Sequence, residues 1–146
     1  MGEKAPKTLD EFQKFKYTDA ERFEVLSRER KTISAIESKN WEDEFKQKAK
    51  DVYYQFRADG IEMGDHALAR YLSRQTDRKG NVIFTYDSFK EICQREPNYV
   101  QDDGRPVRYY DGIAVVANPR TKEIVSVIVR KHPKSEWRSV DDSAGS

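Results

Sequence analysis

The hydrophobic pattern divides the chain into two unlike halves. From Thr8 to Phe56 apolar residues are sparse and recur at helical spacing. Phe23, Leu26 and Ile33 form one stripe, and Trp41, Phe45, Val52 and Phe56 form another after the polar break Ser38-Lys39-Asn40. This predicts one or two amphipathic helices, the first capped at Thr18 or Asp19, with stripes thin enough to need a partner surface in this chain or another. Past Asp59-Gly60, the residue type at Asp65 suits an N-cap for a helix to about Gln75, with Ala67, Leu68, Tyr71 and Leu72 on its apolar face. Asp77-Arg78-Lys79-Gly80-Asn81 reads as a turn. Thr85 then caps a short helix that buries Phe89, Ile92 and Cys93 and stops before Pro97.

Beyond Pro97 the runs become short and rich in Val, Ile and Tyr. Arg105 to Tyr110, Ile113 to Ala117 and Ile124 to Arg130 predict strands of an antiparallel meander, with shorter ones at Tyr99 to Gln101 and Glu136 to Val140. The expected class is α+β: amphipathic helices in a linker or extension over residues 1–59, then two short helices packed on a small antiparallel sheet over 60–140, then a disordered tail over 141–146.

Composition narrows the function classes. A chain of 146 residues holds one domain, or a small domain with an appendage. No window approaches the roughly 18 uninterrupted apolar residues of a membrane helix, and Met-Gly-Glu-Lys-Ala-Pro lacks the apolar core of a secretion signal, so neither membrane nor secretion is expected. Cys93 is the only cysteine, which removes an internal disulfide and a cysteine-rich zinc site and agrees with a reducing compartment. The net charge of +1 predicts no partner, but its distribution does: Gly104 to Val140 carries eight basic residues against three acids, as a polyanion-facing surface would. Gly-rich phosphate loops, serine nucleophile elbows, His-Glu-x-x-His and Cys-x-x-Cys are all missing, and with them the usual signatures of nucleotide hydrolysis, hydride transfer and zinc chemistry.

What remains fits RNA. His66, Arg70 and Arg74 stand at i, i+4 and i+8 and share one helix face. Cleaving RNA without a metal or other cofactor needs a base for the 2′-hydroxyl proton, an acid for the leaving 5′-oxygen, and fixed cations beside the phosphorane. Histidine exchanges protons near neutral pH, and arginine forks grip phosphate without losing charge. The candidate catalytic set is therefore His66, Arg70, Ser126 as a strand hydroxyl, and His132 at the exit of the basic hairpin. Arg74, Arg108, Arg130, Lys131 and a base-stacking Trp137 make up the substrate-binding set. Each has a plain structural reading alone: a helix-end histidine, a solvated arginine face, an alternating strand serine, a tryptophan plugging a core. It is their combination that points to RNA.

The run Met63-Gly64-Asp65-His66-Ala67-Leu68-Ala69-Arg70-Tyr71-Leu72-Ser73-Arg74 resembles the His-Ala-x-x-Arg-x-x-x-Arg helix of phage- and toxin-associated domains. There it precedes a second helix and a sheet with a segment similar to Tyr110 to Val127. Over about Ile61 to Val140 the chain resembles the barnase, EndoU, tRNase-colicin and RelE superfamily of metal-independent ribonucleases. Leu9 to Phe23, with its Lys16-Tyr17-Thr18-Asp19 turn, resembles the end of phage minor head, or head-morphogenesis, proteins. The resemblance implies an endoribonuclease or toxin module of phage or prophage origin that cleaves single-stranded RNA or tRNA. His66 would be the acid or base, Arg70 and Arg74 the phosphate clamp, and Ser126 the strand hydroxyl. It implies an immunity or inhibitor protein, or phage portal and head proteins, as partners, in the bacterial cytoplasm or the virion. The alternative is a non-catalytic virion module that binds nucleic acid or a partner protein.

Overall fold

A computed structural model describes residues 19–140. Thr18, the Leu9 to Tyr17 segment and the tail over 141–146 lie outside the described residues. Among the described residues the fold is α+β, with four helices and a five-stranded antiparallel sheet. Two compact units divide the chain, one ending at Ile61 and the other beginning at Glu62.

The first unit contains α1 (Asp19–Ser38) and α2 (Asp43–Ala58), which pack with each other. Helix α1 stops at Ser38, within the polar break. Thr32 and Ile36 of α1 and Ala49, Tyr53 and Phe56 of α2 are buried. Arg57 is buried too and is ion-paired with Glu29, which also accepts a hydrogen bond from the Tyr54 hydroxyl at 3.1 Å. Burial and the Glu29 carboxylate push the Tyr54 phenol up to about 12.

The second unit begins with α3 (Asp65–Arg74) and α4 (Tyr86–Gln94). Asp65 is the first helical residue of α3, not its cap. Gly64 holds the cap position, fixed there because its N–H donates to the Ile124 carbonyl at 2.9 Å. Thr85 caps α4 as the sequence predicts, in a reciprocal box: its hydroxyl accepts from the Ser88 N–H, and Ser88 Oγ accepts from the Thr85 N–H.

The strands are β1 (Tyr99–Val100), β2 (Pro106–Tyr110), β3 (Ile113–Ala117), β4 (Ile124–Val129) and β5 (Arg138–Ser139), in the order β4-β3-β2-β1-β5. Asp111 and Gly112, both at positive φ, make the two-residue turn between β2 and β3 that matches the twist of a hairpin. All of β3 is buried, so both faces of the sheet are covered. Register sorts the side chains. Val107 opposes Val116, Tyr109 opposes Ala114 and Ser126 opposes Val116, so these share one face, while Arg108, Tyr110, Val115 and Val127 share the other. A bulge at Val116/Ala117 pairs Ala117 with Ile124 and lets Val125 join the face that carries Ser126.

Helices α3 and α4 cover the Arg108 face. Tyr71 of α3 meets Phe89 of α4 edge-on with ring centroids 5.0 Å apart, and both meet Phe84. Arg108 Nε donates to the Arg95 carbonyl just past α4, and the Tyr110 hydroxyl donates to the Glu96 carbonyl. Among the described residues no helix of this unit covers the other face, which closes on itself. Val107, Ala114, Val116 and Trp137 form its core, with Tyr99, Tyr109, Val125 and Ile128 packed around them.

Candidate functional site

The exposed side of α3 carries the first group of candidate residues. Ala67, Leu68 and Tyr71 turn inward and are buried, which leaves His66, Arg70 and Arg74 exposed along the outer row. At 1.5 Å per residue the row spans about 12 Å from first to last. Arg70 Nε lies 3.5 Å from His66 Nε2, a long hydrogen bond that aligns the two side chains. Neither arginine has a carboxylate partner among the described residues, so both guanidinium forks remain open to an anion.

The remaining candidates are elsewhere, and the structure does not gather them with His66. Ser126 is half-buried on β4, on the sheet face away from α3 and α4. The inward row of α3 faces the opposite side of the same sheet, so Ser126 and the helix row are not joined by any hydrogen bond among the described residues. Arg108 corrects the expectation of a free substrate-binding side chain: it is half-buried under the helices, and its Nε is committed to the Arg95 carbonyl at 2.6 Å. Trp137 corrects the expectation of a stacking platform. It is 5% exposed, with Tyr99 and Tyr109 at centroid distances of 6.1 and 6.0 Å, so its ring plugs the helix-free face and is not open to a base.

His132, Arg130 and Lys131 are exposed together just past β4. The Tyr109 hydroxyl donates to the Arg130 carbonyl at 2.7 Å, and Arg130 Nε donates to the His132 carbonyl at 3.1 Å. These two bonds fix a basic turn beside the aromatic face. Lys134 stands in the same segment, its ammonium 5.9 Å from the Trp137 ring centroid. The sequence counts Lys134 with the basic residues of this segment and Tyr109 with the aromatics interleaved among them, but not the contacts they make, because the residue Tyr109 anchors lies two strands away.

Both units contain ion pairs. In the first, Arg28 pairs with Glu24, Lys48 with Glu44, Lys50 with Glu37 and Arg57 with Glu29. In the second, Arg95 pairs with Glu91 and Arg105 with Asp103, while Arg70, Arg74, Arg130, Lys131 and Arg138 have no carboxylate partner among the described residues.

Cys93 carries no site. Burial pushes its thiol up to about 12, with the nearby Arg108 guanidinium acting weakly against the shift, so it stays protonated and unreactive at neutral pH. Among the described residues no group of three or more His, Cys, Asp or Glu could hold a metal ion, and no helix is long and apolar enough to cross a membrane. Set against protein-family models, curated proteins and solved structures, the chain matches none.

Proposed function

We propose that the unit from Glu62 onward is an RNA-directed, ribonuclease-like module of phage or prophage origin, acting on single-stranded RNA or tRNA. One observation carries this reading: His66, Arg70 and Arg74 stand in an exposed row on α3, linked by the Arg70–His66 contact and with no carboxylate partner among the described residues. Arg70 and Arg74 hold the phosphodiester through paired N–H donors. As the phosphate engages Arg70, that arginine releases His66 Nε2, and His66 takes the 2′-hydroxyl proton as that oxygen attacks phosphorus. The bond to the 5′-oxygen breaks, that oxygen takes a proton from water, and a 2′,3′-cyclic phosphate remains.

A specific observation favours the second reading, a virion or head-morphogenesis module that binds nucleic acid without cutting it. Ser126, on the opposite face of the sheet, and His132, beyond β4, have no bond to the α3 row. That leaves His66 without a second acid-base side chain beside it. Both readings share phosphate binding by α3. Fluorescence anisotropy with a single-stranded oligonucleotide tests that shared step. The intact chain binds with strong salt dependence, and Arg70→Gln with Arg74→Gln weakens binding about tenfold. Unchanged binding by that double variant removes the α3 site from both readings.

A further inference from the structure

The loop that follows α3 carries two more cations. Arg74 ends the helix, and four residues later Arg78 and Lys79 sit in the turn Asp77-Arg78-Lys79-Gly80-Asn81. This turn is built, not loose. Asp77 Oδ1 accepts from the backbone N–H groups of Lys79 and Asn81, both at 2.9 Å, and Oδ2 accepts from the Asn81 side-chain amide at 3.2 Å. The Asp77 N–H donates to the Asn81 carbonyl, and the Gly80 N–H donates to the Asp77 carbonyl. Below the turn, Thr76 bridges Val82 and the Ile83 N–H donates to the Gln75 carbonyl at 2.7 Å, closing the loop onto the end of α3. Gly80 makes the bend at φ +85, where a side chain is strained.

The electrostatic consequence is specific. A carboxylate between two cations would ordinarily neutralise one of them, but here Asp77 spends its lone pairs on the loop's own donors. The bonds from Asn81, backbone first and then side chain, hold it below the usual carboxylate range. Arg78 and Lys79 are exposed and have no carboxylate partner among the described residues. They are two unneutralised cations on a loop tied to the end of α3 by the Ile83–Gln75 bond.

We propose that Arg78 and Lys79 extend the phosphate-binding track beyond α3, so that the module takes single-stranded RNA several nucleotides long, with Asp77 as the positioning residue that holds both cations in place. The inference rests on the α3 row being the RNA site. It commits the substrate to a continuous strand whose phosphates run from His66 past Arg74 to the loop, and a single nucleotide fills only part of that track.

The test uses the intact chain and oligouridylates of three and twelve residues, with affinity measured over a range of salt concentrations. Each lost single-strand phosphate contact lowers the slope of log K against log[salt] by about 0.7, so Arg78→Gln with Lys79→Gln lowers it by about 1.4 for the dodecamer. The same variant leaves the affinity for the trimer within about twofold, because a trimer is held by Arg70 and Arg74 alone. Asp77→Ala, which keeps both cations but releases the loop, weakens the dodecamer and not the trimer. Unchanged slope in the Arg78/Lys79 variant, with Arg70→Gln/Arg74→Gln still impaired, overturns the extended track and leaves the α3 site standing. Failure of the wild-type chain to bind either oligonucleotide overturns both.

Discussion

Trp137 separates a core role from a recognition role. It is 5% exposed, packed with Val107, Ala114 and Val116, and braced by Tyr99 and Tyr109. Replacing it with alanine removes the largest side chain of that face and leaves a cavity between strands that cannot fully collapse, which costs about 3–5 kcal/mol. Against a typical domain stability of about 5–15 kcal/mol, that is a large fraction. Phenylalanine behaves differently. It keeps the ring contacts and loses some volume, but it also removes the buried Nε1–H, which has no hydrogen-bond partner among the described residues. An unmet buried donor costs about 1–3 kcal/mol, so its removal offsets the lost packing, and Trp137→Phe should change stability by no more than about 1 kcal/mol. Urea denaturation of the intact chain, followed by far-UV circular dichroism, reads both values. RNA affinity of the folded Trp137→Phe variant should equal that of wild type. A loss under about 1 kcal/mol for Trp137→Ala would show a solvated ring. A stable Trp137→Phe that no longer binds RNA would make the indole a base platform and refute the packing argument.

Other consequences are local. Thr85→Ala removes the hydroxyl that accepts from Ser88 N–H and should cost about 1 kcal/mol by the same urea assay. Gly112→Ala should be more damaging than Gly80→Ala, although both glycines lie at positive φ. A Cβ at Gly112 falls 3.2 Å from the Arg130 carbonyl oxygen, whereas one at Gly80 meets nothing within 4 Å, and the reverse ranking would contradict the turn geometry. Burial pushes the Tyr71 phenol and the Cys93 thiol up to about 12, from 10.0 and 9.0. Both groups are held neutral in the fold, so their contribution is complete below pH 9 and drains away as pH rises toward 12. Denaturation midpoints should fall across that window, and a thiol reagent at pH 8 should label half-buried Cys93 much more slowly in the native chain than after unfolding. Rapid labelling of the native chain would contradict its burial.

Local chemistry explains which parts of the fold were legible in the sequence. Thr85 ahead of Phe89 and Ile92, and the Val- and Ile-rich runs past Pro97, announced a cap and the strands of a meander, because each is decided by a few neighbouring residues. The start of α3 was misplaced by one residue because Gly64 is fixed by Ile124, which is remote in sequence. The candidate site was legible only as far as α3. Helical spacing was enough to group His66, Arg70 and Arg74, but nothing in the sequence states which sheet face the helices cover. That choice puts Ser126 on the face away from them and Arg108 beneath them. The bulge at Val116/Ala117 adds a further shift that simple alternation cannot foresee.

The central claim is that the α3 row acts on RNA, and its most direct test is chemical. Purified wild-type chain and His66→Ala are incubated with total tRNA in EDTA, and the products are resolved on a denaturing gel with end-group analysis. A cleaving α3 row yields discrete wild-type fragments ending in 2′,3′-cyclic phosphate and none from the variant. Intact tRNA in both lanes, or equal cleavage in both, would contradict a catalytic His66.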